Sequence, residues 1–455
     1  MIKCISKSSR RGSRMAALAA TGLLLAGCAA GPVSTATVVQ NSAAAVASNT
    51  LSWAVGYADY PAIAQPLVRL LAEQVDADKA VQVALLANPA LHRIYFDLRL
   101  SPEAVANAVL ADSKPGTGIE FQFVETAIGS VRRSGTEVER LKFEQTKLAM
   151  AGEVLRVALG VRRSQAEAVA ARQIADLAAE LKVAAEASAE LGRRMARVGN
   201  WPRLNEYREA AMLGEVSVQV AKMRQAEMVA RERLSRELGV WGVDVGYKLP
   251  AALPALPTRL DSPPDIEEQA VRARLDIRAL MFEIAADVRD FELDGYDEGA
   301  LLAGTRFVEV ASAQALGGSE PRGTVRVPVF GFASQASLSK AARFMALLTQ
   351  TSQATIAARA DAREAAALRQ TAFDIARHYA DHMVPLHARL AEESVLRYNG
   401  MLASVFDLLS GVRERMAVDI ASVEAQRDFW IAAADLENAI RAGSYSAGAS
   451  KVKAE

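Results

Sequence analysis

From about Glu137 to Ala196 the sequence runs for sixty residues in a helical pattern that contains no proline. At about 1.5 Å per residue, such a helix is about 90 Å long, a length few compact domains can use. One face is built from small residues: Val157, Val161, Ser164, Ala168, Ala171, Ala175 and Ala178 recur at spacings of four and three. That is the seam of a coiled coil whose side chains let a second helix come close. After Gly199-Asn200-Trp201-Pro202 a second pattern runs to about Leu238, with Leu204, Tyr207, Ala211, Gly214, Val218 and Ala221 at the same spacings. So short a turn makes the two helices antiparallel neighbours.

The plan then recurs. A helical pattern from about Ser337 to Leu396 is interrupted by Pro385, where a kink is expected. Ala403 to Ile440 returns, with Leu409, Val412, Met416, Ile420 and Val423 on one stripe. Placing Gly199 on Gly400, an offset of 201 (400 − 199), also places Arg162 on Arg363, Ile174 on Ile375 and Glu206 on Asp407 without a gap. We read an internal duplication. Residues 76–246 form the first repeat, 265–441 the second, and the proline-rich stretch 247–264 links them. Residues 442–455 are a polar, flexible tail.

Shorter elements precede each long helix. Asp76 to Asn88 reads as a helix capped by Asp76 or Asp78, Pro89 opens another, and Ser101-Pro102 begins a third segment. Ala104 to Ser113 fits a weak strand or a helix, whereas Ile119, Phe121 and Phe123 alternate with Glu120 and Gln122 as in a strand. In the second repeat a helix over about Asp265–Asp290 leads to strands Thr305–Ala313 and Thr324–Phe332, joined by a turn at Gly317–Gly323. Pro328 places the latter strand at an edge or a gap in the ladder.

The N-terminus carries Lys3, Lys7, Arg10, Arg11 and Arg14 before an apolar run, Met15–Leu25, that ends in Leu25-Ala26-Gly27-Cys28. This is a secretory signal with a lipobox, residues 1–27, cleaved so that Cys28 takes the lipid. The run is too short to cross a hydrocarbon core of about 30 Å. Ser9-Arg10-Arg11 hints at a twin-arginine signal but lacks the usual apolar residue after it. Of the two cysteines, Cys4 leaves with the signal, so the mature chain has no disulfide and no thiol-ligated metal site. Ala29, not aspartate, follows Cys28, which directs the protein to the outer membrane. Residues 28–75 then form an extended lead from the lipid anchor. With 51% hydrophobic and 23% charged residues the chain is a folded protein, and 53 basic against 53 acidic residues give no charge excess for nucleic acid.

Five stretches, in order, carry a resemblance: Ala80 through Asn88-Pro89-Ala90-Leu91; Glu237-Leu238-Gly239-Val240-Trp241-Gly242 with Leu249-Pro250; Leu275-Asp276-Ile277-Arg278; Arg397-Tyr398-Asn399-Gly400; and Phe406-Asp407-Leu408-Leu409. Together they resemble the lipoprotein branch of the outer membrane efflux protein family, of which TolC is the type. The resemblance implies a mainly α fold: duplicated long helical hairpins form a periplasmic α-barrel, and β-hairpins contribute to a shared outer-membrane β-barrel. It also implies a homotrimer, four strands per chain in a twelve-stranded barrel, and partnership with a periplasmic adaptor and an inner-membrane transporter. The chain is then a passive exit duct held at outer-membrane lipid. The alternative is a structural periplasmic lipoprotein with helical hairpins and no conducting barrel.

The same resemblance makes Asp407, and Glu206 in the first repeat, candidates for an acidic gate ring, since such rings attract cations and restrict passage. Both also fit ordinary first-turn acids at helix N-termini. The turns Gly199, Asn200, Trp201 and Tyr398, Asn399, Gly400, together with Met401, are candidate adaptor contacts or turn packing. His378 and His382 have metal spacing but no completing third ligand nearby, and His92 and His387 stand alone, so no metal is expected. No phosphate loop, nucleophile elbow or cysteine pair points to an enzyme or a cofactor.

Overall fold

A computed structural model describes residues 61–111, 118–260, 265–293, 306–311, 324–329 and 335–443. The signal, Cys28, most of the lead, the turn at Gly317–Gly323 and the tail from 444 onward lie outside the described residues. The described elements are helices α1 (Pro61–Ala72), α2 (Ala77–Ala87), α3 (Pro89–Leu98), α4 (Pro102–Leu110) and α5 (Ile119–Phe123, continued by a π-helical turn, Val124–Ile128), then α6 (Glu137–Arg197) and α7 (Arg203–Leu238). The second repeat has α8 (Ile266–Ala273), α9 (Leu275–Leu293), strands β1 (Arg306–Ala311) and β2 (Thr324–Val329), α10 (Gln335–His378), α11 (Val384–Asn399) and α12 (Val405–Glu437).

Helix α6 starts at a capping box in which the Glu139 amide donates to Thr136 Oγ1 (3.3 Å) and the Thr136 amide donates to Glu139 Oε2 (2.9 Å). It runs unbroken for 61 residues. Its small-residue seam is buried as expected except at Ala171, which is half-buried, but the return helix meets it with a different face. Val216 and Val220, flanked by Met212, Leu213 and Met223, close on Ala178, Leu181 and Ala185. The expected stripe points away: Leu204 is 60% exposed, Tyr207 60% and Val218 56%. Both stripes have helical period. Only the one with bulky side chains can fill the space that alanines on α6 leave open.

Along the first half of α6, α9 rises beside it, with Gln145 Nε2 donating to Glu283 Oε2 (2.9 Å) and Arg289 Nε to Glu137 Oε2 (3.0 Å). Beyond α9 lie β1 and β2, antiparallel and in register from Arg306 opposite Val329 to Ala311 opposite Thr324. They are six residues each, inside the longer strands expected. The break near Pro385 is a π-helical turn, Tyr379–Met383, set over the carbonyls that a proline nitrogen cannot satisfy.

Among the short elements two expectations are corrected and one open reading is decided. The lead is not extended throughout, because Pro61–Ala72 is a helix that buries Ile63 and Leu67. Ala104–Ser113 resolves to helix through Leu110, capped by Ser101. Ile119–Phe123 is a helix rather than a strand, and the reason is Glu120, which is 2% exposed. Its carboxylate takes two hydrogen bonds from Arg162, Nε to Oε1 (3.0 Å) and Nη2 to Oε2 (2.8 Å), while Asp78 binds the same guanidinium (2.8 Å). Burial pushes Arg162 toward losing its proton, but the hydrogen bonds and charges of Glu120 and Asp78 outweigh it and raise the guanidinium above its ordinary value. Polar side chains that alternate in the sequence are here buried on purpose.

The matching motifs interlock in space. Asn88 caps α3 and donates from Nδ2 to Glu237 O (2.7 Å), while Gly239, at φ +77°, lies against Asn88 and Pro89. In the second repeat Arg274 breaks the chain between α8 and α9 and makes a bidentate pair with Asp276 (3.1 and 2.7 Å) plus one bond to Asp361 (2.8 Å). Gly443, at φ +69°, closes on Asp276 as Gly239 closes on Asn88. The proline-rich linker is a strap: Leu249 O accepts from Arg172 (3.2 Å), and Pro254 O accepts from Gln426 Nε2 (2.6 Å) and Trp430 Nε1 (3.1 Å).

A Cβ on Gly239 would stand 2.7 Å from Asn88 Cα and 2.9 Å from Ala87 O. Gly239→Ala is therefore expected to destabilise the fold by about 2 kcal/mol or more, through left-handed strain and the clash together. A lowered urea midpoint of the detergent-solubilised protein is the readout.

Candidate functional site: the two hairpin turns

Helix α6 ends in a left-handed turn. Gly199 has φ +78°, its amide donates to Ala196 O (3.2 Å), and the Asn200 amide donates to Met195 O (3.0 Å). The second turn uses the same hydrogen bonds one residue later. Met401 has φ +60°, its amide donates to Tyr398 O (3.0 Å), and the Leu402 amide donates to Arg397 O (2.8 Å). The left-handed residues thus differ by 202 (401 − 199), as do the caps of the return helices, Pro202 and Ser404 (404 − 202). The offset of 201 does not hold at the turns. Gly199 corresponds in conformation to Met401, and Asp407 corresponds to Asn205 rather than Glu206.

Asp407 closes a capping box with Ser404. The Asp407 amide donates to Ser404 Oγ (3.1 Å), while the Ser404 amide (2.9 Å) and Oγ (2.7 Å) donate to Asp407 Oδ2. Those hydrogen bonds hold the exposed carboxyl below its ordinary value. Glu206 stands half-exposed in the first turn of α7. Asn399 and Tyr398 are the last residues of α11, Tyr398 is exposed, and Gly400 caps it. Met401 and Leu402 form the apex, 94% and 81% exposed.

The structure joins the two turns through an aromatic pair that the sequence did not announce. Trp201 stacks on Phe406 with ring centroids 4.1 Å apart and planes 7° apart. The indole fits because residue 192 is glycine; a Cβ there would lie 2.8 Å from the ring. One turn further along, Ser188 Oγ donates to Glu209 Oε2 (2.6 Å), and Arg413 of α12 approaches the same carboxylate at 3.7 Å. Phe406, Glu209 and Arg413 were missed as site residues; the glycine ahead of Trp201 was the one available signal.

Elsewhere His378 and His382 have ring centroids 5.3 Å apart, and among the described residues no group of three His, Cys, Asp or Glu side chains converges on one point. His92 is buried with Nε2 2.8 Å from Leu86 O, and burial pushes its imidazole below the ordinary value. No described helix is long and apolar enough to cross a membrane.

Duplicated long hairpins of this kind define the TolC-like class of helical-barrel folds. No family model matches the chain, and no curated protein matches it by sequence. Solved structures do. A membrane protein from Pseudomonas aeruginosa aligns at a TM-score of 0.55 and 15% identity, over 82% of this chain and 95% of that one. CusC, in crystal structures that address conformational changes accompanying folding and transmembrane channel formation, aligns at 0.53 and 15% identity, over 81% and 92%. The Campylobacter jejuni CmeC outer membrane channel aligns at 0.53 and 15% identity, over 81% and 86%. The shared property is the fold.

A double-mutant cycle on Trp201→Ala and Phe406→Ala is expected to give a coupling of about 0.5–1.5 kcal/mol; additive effects would remove the contact from the account. Because the folded Asp407 value is lowered, its cap stabilises above the ordinary carboxylate pKa of about 3.9 and is lost as pH falls through the lower folded value. Amide exchange in the first turn of α12 should accelerate, beyond the intrinsic rate, only in that acid range.

Proposed function

We propose that three copies of this chain form a conduit from the periplasm to the outer membrane in an efflux or secretion assembly. Cargo moves through it passively while an inner-membrane transporter supplies the energy. The observation that carries the reading is the joining of both hairpin turns by the Trp201–Phe406 stack, which gathers the six turn residues and Asp407 at one end of the helices. The exposed stripe of α7, with Leu204, Tyr207 and Val218, supports self-association, because one chain leaves it uncovered and a neighbouring copy would bury it. Cys28 carries the lipid that holds the assembly at the outer membrane. Gly199, Asn200 and Trp201, with Tyr398, Asn399 and Gly400, meet a periplasmic adaptor. Asp407 forms an acidic ring at the constriction, with Glu206 as the outer candidate, and the capping box fixes the orientation of its carboxylate.

Deleting the chain should raise cellular retention of the assembly's cargo, and Cys28→Ala should reproduce part of that effect by mislocalising the protein. Unchanged export in the deletion strain would sink the reading. An acidic ring also requires that copies meet at Asp407: Asp407→Cys should cross-link between copies with a short bis-maleimide in intact envelopes. Its failure to do so would remove the gate.

A further inference from the structure

A cavity of about 280 Å³ lies where both repeats and the proline-rich strap meet. The first repeat lines it with Phe121 of α5 and with Arg162 and Gln165 of α6. The second lines it with Trp430 and Glu437 of α12 and with Arg441 of the π-helical turn that follows, Asn438–Ala442. It lies about 50 Å along α6 from the turn at Gly199, and the turns take no part in it.

The charged side chains that line the cavity pair with one another. Glu120 holds Arg162 (2.8 Å), and Glu437 accepts from Arg441 Nε (3.1 Å). Arg441 also sits over the Phe121 ring, 4.2 Å from its centroid, and the Trp430 indole N–H is taken by Pro254 O (3.1 Å). Gln165 is what remains. It is 3% exposed, and among the described residues no group hydrogen-bonds its side-chain amide. An amide has an acceptor oxygen and two N–H donors side by side. Buried without partners it is costly, unless something that enters the cavity meets it.

We propose that this cavity binds a small, neutral aromatic amide or lactam. The ligand is neutral because the lining charges already cancel in pairs, and a charged group would compete with one member of a pair. It carries an acceptor and an N–H on one edge because only such an edge meets both ends of the Gln165 amide; a ketone would leave the oxygen of Gln165 unmet. Its ring lies against Phe121 and Trp430, two half-buried aromatic side chains whose planes are held by Arg441 and by Pro254 O. A volume near the lower end of ligand pockets, which begin at about 300 Å³, limits it to one ring or a fused pair. Such a ligand touches both repeats and the strap at once, so it stabilises the folded chain as it fills the site. The site is built from one chain and needs no second copy, so it stands apart from the conduit reading.

The probe is para-fluorobenzamide, followed by fluorine NMR line broadening on the full detergent-solubilised protein. Its control is para-fluoroacetophenone, which keeps the ring and the carbonyl but lacks the N–H. Wild type is expected to bind the amide about tenfold more tightly than the ketone. Gln165→Leu keeps the bulk and removes the polar group, and should bind the two alike. Ala433→Phe fills the cavity from α12 and should reduce the broadening of both to that of empty micelles. The melting temperature of wild type should rise with added para-fluorobenzamide, and that of Gln165→Leu should rise less. Equal affinity of wild type for amide and ketone would overturn the inference, and so would an amide preference that survives Gln165→Leu. Broadening by wild type no greater than that of empty micelles would show a cleft filled by solvent alone and overturn it as well. Should Ala433→Phe not fold, Gln165→Leu still decides.

Discussion

A helix of 61 residues has more surface than any one partner can cover, and the rest of this fold is an answer to that fact. The second half of α6 is covered by α7, whose valines and methionines fill the space over Ala178, Leu181 and Ala185. Its first half is flanked by α9 and by the small helices α2 to α5, and Arg162 sits where those helices meet it. The proline-rich strap crosses at Arg172, between the two regimes. Since α6 buries chiefly small side chains, each partner comes close, and each contact fixes the next along the rod.

The repeats solve the same problem with unlike chemistry. In each, a break between two helices is closed by a left-handed glycine at the end of the return helix: Gly239 on Asn88, and Gly443 on Asp276. The first closure is a neutral amide capping α3; the second is a buried bidentate ion pair from Arg274. Burial works against the Arg274 charge, and Asp276 and Asp361 more than restore it. The turns differ likewise. Gly199 takes the left-handed conformation without strain, whereas Met401 takes it with a side chain almost wholly in solvent.

Much of the architecture was legible because it rests on local signals. Absence of proline fixed the length of α6, Pro89 and Asn88 marked a helix start, and Gly199 marked its turn. What failed depends on contacts distant in sequence. The alternation of Ile119 to Phe123 suits a strand until Glu120 is seen to pair with a residue 42 positions away. Two stripes on α7 have the same period, and only the alanines of α6 choose between them. Near the second turn, Asp407 was legible as a first-turn acid at a helix N-terminus, and its capping partner Ser404 could have been read three residues before it. The stack of Trp201 on Phe406 joins the two repeats and leaves no periodic trace. The one-residue shift between the turns was hidden because Gly400, the obvious match to Gly199, is not the residue that turns left-handed.

On the proposed reading, copies of this chain complete one another by covering the free face of α7. The decisive experiment weighs the mature lipidated assembly, extracted from outer membranes in mild detergent with the detergent contribution subtracted. A mass of three copies is expected. A stable monomer would contradict it.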